Sequence, residues 1–295
     1  MAEKLLQYDV IERLGEGAKS FIYAVQDPTT GRKYALKHVT RTEPKDIRFI
    51  EQMETEYEVS KNFTHPNLRR TFELKINKTL LMKVTEAFLL MELVDGKPLE
   101  VRPPATLLEA IDTFIDAAKG LKAMHAMGYI HCDIKPNNIL RNPKGEVKVI
   151  DFGQSAKIGT VKERIQGTPD YIAPEQVMRK PVEIQTDIYN LGATLYWAVV
   201  GKPTPTLYTV KKGENSFLMD TMLETPQQLK PETPTALSNL IMEMIATRKE
   251  KRPANMDEVE TRLELAKHVL MKQVAGSPPT LEDSKSDLTD LDIVE

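Results

Sequence analysis

The sequence predicts an α+β fold of two lobes: a small antiparallel sheet carrying one helix, then a larger, mainly helical body. Three observations carry this expectation. Short apolar alternations fill the first third of the chain, and the spacing changes to threes and fours after Val94-Asp95-Gly96. A chain of 295 residues is also long enough for about two cores. The expected division is a first lobe over 1–94, a second over 95–274 and a small, acidic, disordered tail over 275–295.

Five strand-like runs lie at 8–14, 21–26, 33–39, 68–75 and 87–93, and a polar helical stretch at 46–62 interrupts them. Leu107, Leu108, Ile111, Phe114, Ile115, Ala118, Leu121 and Met124 then recur at helical spacing. Thr106 with Glu109 reads as a capping box and Gly128 as the stop. Ile139-Leu140 and Val147 to Ile150 flank Asn142-Pro143-Lys144-Gly145, which reads as a short hairpin. Further helices are expected at 187–200, ended by Gly201, at 235–247, and at 256–274 with Asn255 as cap.

A net charge of -3 gives no electrostatic reason to expect nucleic acid as a partner. No apolar run reaches the roughly 18 residues of a membrane span, and residues 1–9 lack the apolar core of a signal peptide. One cysteine excludes an intramolecular disulfide and a cysteine cluster for zinc. The expected location is therefore a reducing cytoplasm.

His131-Cys132-Asp133-Ile134-Lys135-Pro136-Asn137-Asn138, followed by Asp151-Phe152-Gly153, orders polar groups as phosphoryl transfer requires. A carboxylate meets an acceptor hydroxyl, an ammonium steadies the phosphate, and an amide and a second carboxylate suit magnesium. The hairpin between them would bring both clusters face to face. Gly15-Glu16-Gly17-Ala18-Lys19-Ser20 lies between two predicted strands, a glycine-rich turn whose backbone can approach phosphates. Lys37, in the apolar run Tyr34-Ala35-Leu36-Lys37, is costly to bury without an anion.

With these motifs together the chain resembles a eukaryotic-type (Hanks-type) serine/threonine protein kinase, in the style of bacterial members, over about residues 8–272. The resemblance implies a two-lobed kinase fold, ATP with magnesium (manganese as a substitute), and protein substrates carrying Ser or Thr acceptors. It implies that Leu14, Gly15, Glu16, Gly17, Ala18, Ser20 and Ile22 cover the nucleotide, with Ser20 in place of the usual third glycine. Ala35, Met91, Glu92, Val94 and Leu140 would enclose the adenine, Lys37 would hold phosphates, and Glu56 would be its partner, with Glu54 and Glu58 as competing choices. Asp133 would be the catalytic carboxylate, Lys135 would neutralise the transferring group, Asn138 and Asp151 would ligate magnesium, and Thr168 would contact Asp133 and Lys135. Glu175 would pair with Arg252, and Asp187 would bind the catalytic-loop backbone.

Cys132 stands where the family usually has the arginine that receives an activation-segment phosphate. Activity independent of phosphorylation between Asp151 and Glu175 is therefore expected, although Ser155 and Thr160 are modifiable residue types. Cys132 reads as a small packing residue, with oxidation sensitivity as the other reading. His125 and His131 read as packing residues rather than metal ligands. Two alternatives to an active protein kinase stay open: a pseudokinase scaffold and a small-molecule kinase of the same superfamily. The tail residues Ser277, Thr280, Ser284, Ser286 and Thr289 are candidate autophosphorylation sites.

Overall fold

A computed structural model describes residues 3–17, 19–206 and 223–276. The tail sites therefore lie outside the described residues, as does Ala18. Ten-residue β2 (Tyr8–Gly17) and β3 (Ser20–Gln26) form the first long hairpin, preceded by short β1 (Lys4–Leu5). With β4 (Lys33–Thr40), β5 (Thr71–Lys78) and β6 (Val84–Met91) they make one antiparallel sheet of order β1-β2-β3-β4-β6-β5. Helix α1 (Ile47–Ser60) leaves β4 and buries Ile50, Met53, Glu56, Val59 and Ser60, which share one face at spacings of three and four. Ile50 and Met53 pack on Ala35, Val39, Leu89 and Met91 of the sheet.

The strand expected at 68–75 begins three residues later. Leu68 instead bridges to Val149, with Arg69 N donating to Val149 O and Val149 N to Asn67 O. This non-local pairing ties the sheet end to the second lobe.

The short β7 (Lys97–Pro98) enters that lobe and leads to α2 (Leu107–Ala126). Thr106 caps it by accepting from Glu109 N, while the Glu109 carboxylate takes Ala105 N rather than Thr106 N. Gly128, at φ +83°, ends the helix as expected. Short β8 (Tyr129–Ile130), β9 (Ile139–Arg141) and β10 (Val147–Val149) follow, the last two paired antiparallel. Next come β11 (Ala156–Lys157), which pairs with β8, α3 (Pro174–Val177) and α4 (Ile184–Val200). Last are α5 (Pro226–Leu229), α6 (Thr235–Met244) and α7 (Met256–Gly276).

The second core centres on α2, with Phe114, Leu121 and Met124 buried among Leu191, Leu195, Tyr196, Leu240, Ile241 and Leu263. A Cβ on Gly192 would lie 2.5 Å from the Met244 Cβ, so only glycine lets α4 and α6 pack this closely. No helix among the described residues is long and apolar enough to cross a membrane.

Candidate active site

The catalytic segment begins where β8 ends. Its backbone turns sharply because Cys132 adopts a left-handed φ of 66°. Asp187, fully buried near the start of α4, holds this turn by accepting His131 N at 2.8 Å, Cys132 N at 2.9 Å and His125 Nε2 at 2.8 Å. Burial pushes the Asp187 carboxyl up, but the bonds and charges of His125 and His131 outweigh it and keep the group ionised below its usual range. The bound backbone amides offset part of the cost of a buried carboxylate.

Pro136 opens a tight turn that returns Asn138 to Asp133. Asn138 Nδ2 donates to Asp133 O at 2.8 Å. Asp133 Oδ1 accepts Thr168 Oγ1 at 2.9 Å, and Oδ2 lies 3.0 Å from Lys135 Nζ and 3.2 Å from Gln154 Nε2. Lys135 Nζ also donates to Thr168 Oγ1 at 2.8 Å. A carboxylate, an ammonium and a hydroxyl thus form a closed triangle.

The hairpin β9–β10 delivers Asp151, itself left-handed at φ 64°. Phe152 behind it is fully buried, edge-on to Phe63 at 4.9 Å and to His131 at 5.3 Å. His131 Nε2 donates to Ile150 O at 3.0 Å. Anchored this way, Asp151 faces Lys37, with Oδ1 3.6 Å from Nζ. Burial raises the Asp151 carboxyl, but the Lys37 and Arg69 charges outweigh it and hold it at about 2.

Among the three candidate glutamates of α1, Glu56 meets Lys37 at 2.7 Å and is fully buried, while Glu54 and Glu58 are exposed. Its other oxygen takes Arg69 Nη2 at 2.9 Å. Arg69 was not foreseen: in the run Arg69-Arg70 the sequence does not distinguish a buried cation from a solvated one, and the structure buries the first and exposes the second. Gly153 is pressed against α1, since a Cβ there would stand 3.3 Å from Gln52 Cβ and from Gln52 O.

The glycine-rich turn joins β2 and β3, with Gly15 opposite Ile22 and Gly17 opposite Ser20. A Cβ on Gly17 would meet the Ser20 hydroxyl at 2.7 Å, whereas one on Gly15 would meet nothing within 4 Å. Glu16 is ion-paired with Arg13. Leu14 is exposed, Ile22 half-buried, and Ala35, Met91 and Leu140 buried; Ala35 and Met91 are paired neighbours on β4 and β6. Glu92 N donates to Arg70 O, its carboxylate takes Lys148 Nζ at 2.8 Å, and Val94 O accepts Gly96 N.

Downstream, Gln176 Nε2 donates to Cys132 O at 2.7 Å, and Asn190 Nδ2 to Tyr171 O at 2.7 Å. Arg252 grips Glu175 with two nitrogens at 2.8 and 3.1 Å. Ser155 is buried, so its hydroxyl is not presented for modification; Thr160 is half-buried. Burial and then Asp187 push the Cys132 thiol far above its ordinary range, so it is not a reactive thiolate.

With its amide nitrogen engaged by Asp133, Asn138 offers its oxygen, and Asp151 offers a carboxylate. Such hard donors fit magnesium, which keeps few protein ligands and takes the rest from phosphates or water. Among the described residues no three His, Cys, Asp or Glu side chains form a metal cage.

The protein kinase domain profile matches residues 8–264. A probable serine/threonine-protein kinase of Corynebacterium efficiens is 29% identical over 277 residues, covering 88% of this chain and 40% of that protein. Serine/threonine-protein kinase PknA of Mycobacterium tuberculosis is 30% identical over 243 residues, covering 80% and 55%. The DNA damage-responsive serine/threonine-protein kinase RqkA of Deinococcus radiodurans is 29% identical over 262 residues, covering 84% and 37%. The chain thus spans between 37% and 55% of the length of these bacterial relatives.

Proposed function

The chain belongs to the protein kinase domain family, and from that premise we propose that it transfers the γ-phosphoryl of ATP to Ser and Thr hydroxyls of proteins. The observation that carries this reading is the triangle of Asp133, Lys135 and Thr168 facing Asp151 and Lys37. Asp133 accepts the proton of the acceptor hydroxyl as its oxygen bonds to the γ-phosphorus, and the electron pair of the breaking bond leaves on ADP. Lys135 neutralises charge on the moving group, and Thr168 fixes the orientation of both. Lys37, steadied by Glu56, holds the phosphates that stay behind. Asn138 and Asp151 would hold magnesium, which supplies charge neutralisation at the phosphates. Manganese, also a cation for oxygen donors, suits the same pair.

Leu14, Gly15, Glu16, Gly17, Ala18, Ser20 and Ile22 would cover the nucleotide, with Ala35, Met91, Glu92, Val94 and Leu140 around the base. We further read activity as independent of a phosphate between Asp151 and Glu175. Cys132 supplies no cation to receive one, and Ser155 is buried.

The test is incubation of the full chain with ATP, magnesium and a generic protein acceptor, beside an Asp133→Asn variant, read by intact mass and phosphopeptide mapping. The parent is expected to phosphorylate Ser or Thr, with the variant about 10²- to 10⁴-fold slower. Equal rates in the two proteins, or phosphate appearing only on small-molecule hydroxyls, would overturn the reading.

A further inference from the structure

We propose that Lys162 is a positioning residue that pins the activation segment to the catalytic loop in place of a phosphate, an inference that rests on the kinase reading above. Lys162 lies in a run whose other members, Val161, Glu163, Arg164 and Ile165, are all exposed. Its own side chain turns inward and is only half-exposed. There Nζ donates to Gln154 O at 2.5 Å, and the Gln154 side chain in turn donates to Asp133 Oδ2 at 3.2 Å. Two bonds therefore run from the outer limb of the segment to the carboxylate that would receive the acceptor proton.

Nearby carboxylates offset part of the cost of placing a cation there. Burial draws its ammonium below the ordinary range and Arg164 adds to this, while the carboxylates of Asp187 and Asp133 push it back only in part. Cys132 packs with Ile130 and Val182 in a small apolar cluster and brings no positive charge of its own. The cation thus comes from the segment, so the segment needs no added anion to be held. A lysine resting its alkyl stem on the surface would keep its head in water; Lys162 instead places its head on a carbonyl.

The base of the segment has separate fastenings. β11 pairs with β8, Gly159 N donates to Val182 O, and Val182 N donates to Thr160 O. Replacing Lys162 should therefore loosen the limb without unfolding the lobe.

The experiment compares Lys162→Met and Lys162→Arg with the parent, each as the full chain made phosphate-free and verified by intact mass. Lys162→Met is expected to lose roughly ten- to a hundred-fold in kcat, the scale of a misplaced reacting group, with the ATP KM within about two-fold. Lys162→Arg is expected to recover most of the loss. Amide hydrogen exchange over 155–166 should quicken about ten-fold in Lys162→Met and not in Lys162→Arg. A Lys162→Met protein with the parental exchange pattern overturns the proposal whatever its activity. So does faster exchange with parental kcat, or a phosphate-free parent that becomes active only when the segment is phosphorylated. If the parent phosphorylates no acceptor under any condition while exchange still depends on Lys162, the kinase reading fails and the pinning stands.

Discussion

Asp133 sits under opposing pulls: burial raises its carboxyl above the ordinary 3.8, and the Lys135 ammonium lowers it without winning. A base must be ionised to accept a proton, so kcat should fall on the acid side with a midpoint above that ordinary value. Lys135→Met removes the opposing charge and should move the acid limb further up, which a pH-rate profile measures; an unmoved limb counts against Asp133 as the base. Asp151 behaves oppositely. Held at about 2, it contributes stability that is whole above the unfolded value of 3.8 and lost as pH falls through about 2. Asp151→Asn should therefore flatten the loss of melting temperature between about pH 4 and pH 2. Lys37, Asp133, Asn138 and Asp151 were legible because each belongs to a short motif whose spacing is its signature. Arg69 was not, because its role depends on which of two adjacent arginines turns inward. Arg69→Met removes a charged hydrogen bond from buried Glu56 and should cost about 1.5 to 3 kcal/mol of stability, measurable by denaturant unfolding.

Elements were read well where glycine or a hairpin ended them, and less well where a side-chain bond to the backbone did. Gly128 and Gly201, both at positive φ, stop α2 and α4 as expected. Helix α4 begins three residues before the expected start because Glu183 N donates to Thr186 Oγ1 and nucleates an earlier turn. Helix α6 stops at Met244, short of the expected 247, where Arg252 claims the carbonyls of Ala246 and Thr247. The guanidinium lies five and six residues beyond those carbonyls, and apolar spacing gives no sign that it folds back on them. The seat of α1 is non-local, since it rests on Gly153 more than a hundred residues from its own start. Gly153→Ala should push α1 outward, cost about 1 to 3 kcal/mol by overpacking and raise the ATP KM as Glu56 draws away from Lys37. A melting curve and a KM measurement together check this, and a parental KM would mean that α1 does not respond.

For the molecule as a whole, the two lobes meet through the Leu68–Val149 bridge, the Asn67 side chain on Val147 O and the Lys37–Asp151 and Glu92–Lys148 pairs, while the larger lobe is fastened by Arg252. The guanidinium joins Glu175 of α3, Gln185 O of α4 and the carbonyls that end α6, so one side chain fastens three segments. Glu175→Gln leaves that cation uncompensated and should destabilise by about 3 to 5 kcal/mol. A double change of both partners to apolar residues should recover part of this, and denaturant unfolding of the three proteins decides it. The two-lobed architecture was legible from the shift in apolar period, and the Glu175–Arg252 pair, 77 residues apart, only through the resemblance to the kinase family; the bonds of Arg252 to the carbonyls of Gln185, Ala246 and Thr247 leave no sign in the sequence. A different use follows from the sharp turn at Cys132. It is the only thiol in the chain and has no exposed surface. A thiol-labelling reagent reaches it only when the catalytic loop and the segment above it part. The labelling rate of the unaltered protein therefore counts those openings, and a second cysteine added anywhere on the exterior will carry a dye alone.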